Sequence, residues 1–294
     1  MHGNALLLGV DGGGTQCRAR LTSASGAKLG EGTGGPANIR FGLEQSFAAI
    51  LDATRQCLRQ AGLGNRDFSR IVACLALAGA SEPTDLADAQ SYHHPFAQLL
   101  VTADAHAACV GAHRGRDGGV IVIGTGTVGW AEVNGRHHRV GGWGLPISDE
   151  GSGAWLGCEA LRGVLWAHDG RIAWTDLLTA LFQRFQSDPH AIVRWGAQAS
   201  PRDFGSFAPL IVEHAAHDDP VAVELLRRGA AHVDALAARL VAFGAERLAL
   251  VGGLAPHVAP WLSAATERRL VPPAGDALAG ALQLARTAAG SLAA

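Results

Sequence analysis

Two glycine-rich turns in this sequence carry residue types that can bind a phosphate chain. The first is GVDGGGT at 9–15, where Asp11 follows the apolar run ALLLGV and precedes three glycines. Glycine packs nothing and costs backbone entropy, so three in a row indicate an unusual turn or a close approach of backbone to a ligand. The second is GTGTVG at 124–129, after the apolar stretch VIVI. Taken alone, each pattern also fits an ordinary tight hairpin.

The second turn matches the spacing GxGxxG, but dinucleotide binding requires a helix to begin at that turn. The residues that follow, WAEVNG at 130–135, alternate in polarity and predict a hairpin, which excludes a nicotinamide site. Lys28 is the only lysine and follows Ala27. The sequence therefore has no Gly-Lys-Ser/Thr phosphate loop, and it lacks the paired lysines of protein kinases. Any phosphate would therefore be bound by backbone N–H groups, hydroxyls and a metal.

Three acidic side chains and one amide are candidates for contact with a substrate. Asp104, in LLVTADAHAAC, ends a predicted strand where a helix begins, so it could act as a general base or cap that helix. Asp149 and Glu150 open the predicted helix GSGAWLGCEAL, where they could complement its dipole or face a ligand. Asn38, in GGPANI, could stabilise a turn or bind a hydroxyl group. The residues alone leave these alternatives open.

Alternating strands and helices must position these residues. In the first part of the chain we expect strands at 5–10, 16–22, 28–34, 71–78 and 99–102, and helices at 43–60 and 82–91. In the second part we expect strand, turn and strand over 120–133, followed by a turn at 135–138. The stretch 154–244 should be mostly helical, with a long helix at 221–243. A strand at 246–255 and a terminal helix that begins at the prolines of 272–285 should complete the chain. The two similar strand–glycine turn–strand units predict a duplicated α/β fold with mixed sheets.

The composition limits the class of protein. The chain has 294 residues, of which 48% are hydrophobic, enough for one large domain or two of moderate size. A formal net charge of -2 gives no electrostatic footprint for nucleic acid or an anionic membrane. The five cysteines are scattered without a CxxC pair, which predicts buried thiols in a reducing compartment. With no long uncharged apolar run and no basic leader, we expect a cytoplasmic protein.

An ordered set of motifs covers nearly the whole chain. Its members are GVDGGGT at 9–15, GGPANI at 34–39, ALAGA at 76–80, TADA at 102–105, IGTGT at 123–127, GGWG at 141–144, SDEGSG at 148–153, PRDFGSFAP at 201–209 and VGGLA at 251–255. This set resembles the N-acetylglucosamine kinase or BadF-BadG-BcrA-BcrD ATPase-like branch of the actin-like sugar kinase superfamily. Within that branch it is most similar to the bacterial glucosamine kinases.

The resemblance implies an α/β fold of two actin-like, ribonuclease H-like lobes with mixed sheets around a cleft for ATP and sugar. It implies an N-terminal lobe at 1–105 and a C-terminal lobe at 106–294, with nucleotide-binding segments in the latter. It also allows the terminal helix to pack back on the N-terminal lobe.

The resemblance also implies a site. Asp104 would be the general base, and Asp11 would hold Mg²⁺ through water. The ATP phosphates and adenosine would contact Asp11, Gly12, Gly13, Gly14, Thr15, Thr125, Gly126, Thr127, Gly252 and Gly253. The amino sugar would contact Asn38, Gly142, Trp143, Asp149 and Glu150.

The implied reaction is ATP-dependent phosphorylation of glucosamine at its 6-hydroxyl. The GGWG form is more usual in N-acetylglucosamine kinases, so a 6-kinase for that sugar is the alternative. A distant alternative is the ATP-driven activator of a radical dehydratase, but Cys109 and Cys158 lie in predicted helices rather than in an exposed cluster motif. The expected partners are an amino sugar and ATP, with neither nucleic acid nor membrane. A homodimer is compatible with the sequence.

Overall fold

The computed structural model describes residues 5–80 and 83–291. These residues form two compact units. The first contains the described residues up to Gly118, Asn134–Arg136 and those from Pro272 onward. The second contains Gly119–Val133 and His137–Val271.

The first unit is built on a five-stranded mixed sheet. Its strands are β1 (Leu6–Gly12), β2 (Cys17–Ser23), β3 (Lys28–Gly34), β4 (Ile71–Leu77) and β5 (Gln98–Ala103). In the order β3-β2-β1-β4-β5, the three strands β3, β2 and β1 pair antiparallel, whereas β1, β4 and β5 are parallel. Its helices are α1 (Leu43–Gln60), α2 (Pro83–Ser91), α3 (Asp104–His113) and α12 (Ala277–Ser291). The near-continuous burial of β1 and β4 is typical of strands covered on both faces.

The second unit repeats this sheet order with one strand fewer. Its strands are β6 (Gly118–Ile123), β7 (Thr127–Val133), β8 (Arg136–Gly141) and β9 (Leu248–Val251). They lie in the order β8-β7-β6-β9, with β6 and β9 parallel. A single parallel bridge between Leu248 and Leu270 stands where the fifth strand of the first sheet lies. The duplicated fold that the two glycine turns predicted is therefore present.

Eight helices of the second unit pack around this smaller sheet within the described residues. They are α4 (Gly153–His168), α5 (Asp176–Arg184), α6 (Pro189–Gly196), α7 (Pro201–Gly205), α8 (Ala208–Ala216), α9 (Pro220–Ala242), α10 (Ala255–Val258) and α11 (Ala264–Glu267). Leu156, Leu178, Val233 and Ile123 are among the side chains buried in the shared core. None of the helices within 5–80 and 83–291 combines the length and apolar character needed to cross a membrane.

Alternate glycines in β3 explain how α1 reaches the sheet. A side chain at Gly30, Gly32 or Gly34 would collide with the α1 backbone carbonyls. The helix in turn buries Phe47 and Ile50, three residues apart on one face. The predicted bounds of this helix, 43–60, are those observed.

The terminal helix packs closely on α3 in the first unit. A methyl group at Gly280 would collide with the carbonyl oxygen of Ala107, and one at Gly111 would collide with that of Asp276. The first unit therefore extends to Gly118 and includes α12, beyond the division after residue 105 that we expected, because α3 is held by these backbone contacts.

We expect Gly280→Ala to lower the free energy of unfolding by about 1–3 kcal/mol, since the added methyl must push α12 away from α3. Gly290→Ala is the matched control, because it lies in the same helix and nothing stands within 4 Å of the position that its methyl group would take. That control should be neutral or stabilising by up to about 1 kcal/mol. Urea unfolding curves would measure both changes, and equal effects would contradict close packing at Gly280.

One predicted turn was placed wrongly. We expected a turn at 135–138, but the turn is confined to Asn134 and Gly135, and β8 begins at Arg136. Both turn residues have positive φ, 51° and 70°, so two residues suffice to reverse the chain. His137 and His138 consequently lie in a strand.

Candidate active site

Two of the acidic side chains that we predicted for the site lie at one edge of the first sheet. Asp11 is near the carboxyl end of β1, and Asp104 directly follows β5. The register pairs Gly12 with Leu77 and Leu77 with Ala103, so these residues form a row across three parallel strands. Neighbouring strands are about 4.8 Å apart, which puts Gly12 roughly 10 Å from Ala103. The carboxyl edge thus brings the glycine turn and Asp104 together.

The three glycines after Asp11 are required for different reasons. A Cβ at Gly12 would lie 2.7 Å from Leu77 Cδ2 and 3.0 Å from the Ala37 carbonyl oxygen, so packing excludes a side chain there. One at Gly13 would lie 3.2 Å from the carbonyl oxygen of Gln16, which accepts a 3.0 Å hydrogen bond from the Gly13 N–H. At Gly14 the nearest atom would be 3.9 Å away, and Thr15 beyond it is exposed. Packing accounts for the first glycine but not for the third.

Arg18 joins Asp11 to the start of the terminal helix. Its Nη2 donates to Asp11 Oδ2 at 2.7 Å and lies 3.1 Å from Asp276 Oδ2. The hydrogen bond to Asp11 raises the pKa of Arg18 above its usual value. Arg18 was not among the predicted site residues, although a hairpin register that pairs residues 11 and 18 would have indicated it.

Asp104 is the first residue of α3 rather than its N-cap, which is Ala103. Its Oδ1 accepts a 2.8 Å hydrogen bond from the Ala105 N–H, and the residue is half-buried. The next turn of the same helix is tied back to the strand, since Thr102 Oγ1 lies 2.6 Å from His106 Nδ1. The hydrogen bond from the Ala105 N–H therefore holds the carboxylate at the N-terminus of α3.

Asn38 has the turn-stabilising role that its sequence context allows. Its Oδ1 accepts a 3.0 Å hydrogen bond from the Arg40 N–H and caps a short 3₁₀ helix. A side chain at Gly79 would collide with that oxygen, and Asn38 Nδ2 would be the nearest atom to a Cβ at Gly14. The amide thus lies beside the glycine turn.

In the second unit, the hairpin between β6 and β7 is held by the start of α4. The Gly153 N–H donates to the Gly124 carbonyl at 2.8 Å, and the Ala154 N–H donates to the Thr125 carbonyl at 3.2 Å. These first amides of the helix are thereby used inside the protein. Thr125 itself is exposed at the tip of the hairpin.

Asp149 and Glu150 do not open α4, as we had expected. The helix begins at Gly153, and Ser152 caps it through a 3.1 Å hydrogen bond from the Trp155 N–H to Ser152 Oγ. A serine at this position satisfies the helix end directly, so the two acids are left in the preceding loop.

The carboxylate of Asp149 lies beside the tip of the hairpin. A Cβ at Gly126 would be 2.5 Å from Asp149 Oδ2, while Asp149 Oδ1 accepts a 3.0 Å hydrogen bond from the Gly144 N–H. Asp149 also has a φ of 67°, a conformation that side chains rarely adopt. Backbone strain of this kind persists where surrounding contacts impose it.

Glu150 lines a cavity of about 200 Å³ in the second unit, together with Thr127, Gly141 and His232. Its Oε2 accepts a 3.3 Å hydrogen bond from Ser148 Oγ. Thr127 Oγ1 is buried and has no hydrogen-bond partner among the described residues. His232 comes from α9, and nothing in its local sequence distinguished it from an ordinary helical histidine.

Trp143 and the last glycine turn are both accessible. The indole of Trp143 is 67% exposed, with the Arg139 guanidinium 4.4 Å from its ring centroid. Gly142 has a φ of 72° and Gly252 has a φ of 102°, so both need the conformational freedom of glycine. At Gly252 a side chain would collide with the Ile123 carbonyl, whereas Gly253 is open.

Comparison with known proteins confirms the family that the ordered set of motifs resembles. The model of the BadF/BadG/BcrA/BcrD ATPase family matches residues 8–267. This chain belongs to that family. The chain is also 40% identical to the glucosamine kinase GspK of Vibrio cholerae over 278 residues, which cover 95% of each protein.

Two solved structures resemble this chain to different degrees. A crystal structure from Chromobacterium violaceum, described as a candidate N-acetylglucosamine kinase, matches with a TM-score of 0.89 and 36% identity, covering 96% of this chain and 99% of that one. A ROK family glucokinase from Streptomyces griseus matches with a TM-score of 0.59 and 18% identity, covering 96% and 100%. The second likeness shows the actin-like sugar kinase fold alone.

Proposed function

We propose that this protein is an ATP-dependent glucosamine kinase that forms glucosamine 6-phosphate. One observation supports phosphoryl transfer as the reaction class. The Asp104 carboxylate, the Asp11 carboxylate and the open glycine turn after Asp11 all lie at the same edge of the first sheet. The identity of 40% with a glucosamine kinase over nearly the whole chain supports the choice of substrate.

Asp104 is the proposed general base. It would accept the proton of the sugar 6-hydroxyl as that oxygen forms a bond to the γ-phosphorus and the bond from that phosphorus to the bridging oxygen of ADP breaks. The hydrogen bond from the Ala105 N–H to Oδ1 fixes the orientation of the carboxylate. A fixed carboxylate loses little conformational entropy when the substrate binds.

Asp11 and the glycine turns fit Mg²⁺ and ATP. A carboxylate is a ligand type that Mg²⁺ prefers, and Arg18 fixes the orientation of the Asp11 carboxylate. The absence of any close packing contact at Gly14 leaves space for a phosphate to approach the backbone. Bound Mg²⁺ would neutralise phosphate charge that the protein's own donors do not. We assign the phosphates and adenosine to Gly12, Gly13, Gly14, Thr15, Thr125, Gly126, Thr127, Gly252 and Gly253.

The sugar would be bound by Asn38, Gly142, Trp143 and one of the two loop acids. The 2-amino group of glucosamine is largely cationic near neutral pH, and a carboxylate at Asp149 or Glu150 would form a charge-assisted hydrogen bond with it. An acetamide carries no such charge and is larger. The exposed Trp143 ring favours the second candidate, an N-acetylglucosamine kinase, because its apolar face could pack on an acetyl methyl.

We expect kcat/KM with Mg-ATP to be higher for glucosamine than for either N-acetylglucosamine or glucose. Coupled ADP-release assays over these three sugars would measure the order. The variants Asp149→Asn and Glu150→Gln identify the acid that faces the amine, because the one in contact should lose the preference for glucosamine and the other should keep it. A higher value for N-acetylglucosamine would replace the proposed substrate with the alternative.

The cysteines argue against the activator of a radical dehydratase. Cys17, Cys57, Cys74 and Cys109 are buried, and Cys158 is half-buried. Burial raises the pKa of Cys17 and Cys57 to about 11 and that of Cys74 to about 12, so these thiols stay protonated at neutral pH. Protonated buried thiols are poor ligands for a shared iron–sulfur cluster. We keep a cytoplasmic location, where ATP is available, and a homodimer as proposals.

A further inference from the structure

The first unit contains a groove at the opposite end of its sheet from the glycine turn. Its volume is about 550 Å³, and β2, β3 and α12 form its sides. Thr22, which lines it, pairs with Leu7, whereas Cys17 pairs with Gly12 next to the turn. Five residues of strand correspond to roughly 17 Å. The groove is therefore separate from the candidate active site.

Three cations line this groove: Arg20 from β2, Lys28 from β3 and Arg286 from α12. Glu31 is paired with two of them, with its Oε1 2.7 Å from Arg20 Nη2 and its Oε2 3.3 Å from Lys28 Nζ. Arg286 has no hydrogen bond or ion pair with any residue in the described ranges. The groove thus has more positive than negative charge, and one guanidinium is available to a ligand.

The shape of the β2–β3 turn makes room for that guanidinium. Gly26 has a φ of 94°, and a Cβ there would lie 2.7 Å from Arg286 Nη2. Any residue other than glycine at this position would crowd the arginine.

Polar and apolar groups complete the lining. Thr22 is only 5% exposed, and its Oγ1 has no hydrogen-bond partner within the described chain. Gln283 adds an amide, and Leu282 adds an apolar wall.

We propose that this groove binds a phosphate monoester of the size of a sugar phosphate. Arginine presents a planar fork that matches phosphate oxygens, and Lys28 adds a point charge. The volume falls in the range of small-molecule sites and exceeds what a phosphate ion alone would fill. The apolar wall and the polar groups suit the ring and hydroxyls of the sugar. This site is additional to the kinase reaction and does not depend on it.

Lys28 offers a local probe because it is the only lysine. Reductive methylation with ¹³C-formaldehyde labels its amine and keeps its charge. The NMR signal of dimethylated Lys28 is assigned by its absence from Lys28→Arg. Titration with glucose 6-phosphate should shift this signal with saturation at millimolar concentrations, and Arg286→Gln should weaken the apparent affinity by about tenfold or more.

Arg59→Gln is the matched control, since Arg59 is an exposed arginine on α1 outside the groove, and it should titrate like the wild type. Glucose should cause no saturable shift, and inorganic phosphate should bind more weakly than glucose 6-phosphate. No saturable shift with glucose 6-phosphate, equal affinity in Arg286→Gln, or equal affinity for inorganic phosphate would overturn the proposal. Because the reporter is Lys28 and not turnover, an inactive kinase would leave this result unaffected.

Discussion

Replacing Asp104 with asparagine is expected to lower kcat by about two to four orders of magnitude, the range typical of losing a general base. Asparagine keeps the shape and the oxygen that accepts from the Ala105 N–H, so α3 should begin as before. Only the proton acceptor is removed. Steady-state kinetics with glucosamine and Mg-ATP would measure the loss, while the ATP-induced shift in Tm should be retained.

Asp176→Asn is the control for this variant. Asp176 is also the first residue of a helix, but that helix is α5 of the second unit, and Asp176 is not among the proposed site residues. Its replacement should leave kcat within about twofold of the wild type, since substitutions at surface positions without a role in a site usually have small effects. Near-normal turnover in Asp104→Asn would remove Asp104 from the role of base.

Replacing Asp11 with asparagine is expected to weaken the apparent affinity for Mg²⁺ by about 10- to 100-fold. That is the usual cost of losing an outer-shell carboxylate, and we propose that Asp11 acts on the metal through water. The measurement is the dependence of kcat/KM for ATP on Mg²⁺ concentration. In the wild type, ATP should raise Tm more with Mg²⁺ than with a chelator.

Asp276→Asn separates the metal from the ion pair. Asp276 and Asp11 both contact Arg18, at 3.1 and 2.7 Å, so each variant removes one carboxylate from the same guanidinium. Asparagine at 276 keeps the oxygen that accepts from the Ala279 N–H. Only Asp11→Asn should change the Mg²⁺ requirement. The same change in both variants would mean that Arg18, not a metal, is what Asp11 serves.

Short-range patterns in the sequence were sufficient for most secondary structure and for the family. The helix at 43–60 was predicted correctly because apolar side chains recur at helical spacing over its whole length. The hairpin after Gly124 was predicted because its alternating residues excluded a helix. The turn at 135–138 was predicted too long, although Asn134 and Gly135 form the Asn-Gly pair that is typical of a two-residue hairpin turn with positive φ at both positions.

Several features of the candidate site depend on contacts between residues distant in sequence. Sequence reasoning assigned the three glycines after Asp11 to one purpose, but Gly12 is required by Leu77 across the sheet. It placed Asp149 at a helix end, whereas the loop brings its carboxylate to Gly126. Such contacts depend on which strands lie side by side and on the path of the loops between them, and residues close in sequence do not determine either.

The sequence by itself determined the family, the order of strands and helices, and the residues with chemistry to offer, because these depend on residue type and on spacing within a few turns. The tertiary structure alone decided that α12 returns to the first unit, since this requires close contact between Gly280 and Ala107. It also decided that Arg18 joins Asp11 to Asp276, and that Lys28 and Arg286 line the same groove. The ion pair between Arg18 and Asp276, like the contact between Ala107 and Gly280, joins residues that are far apart in the sequence, so packing rather than local preference brings them together.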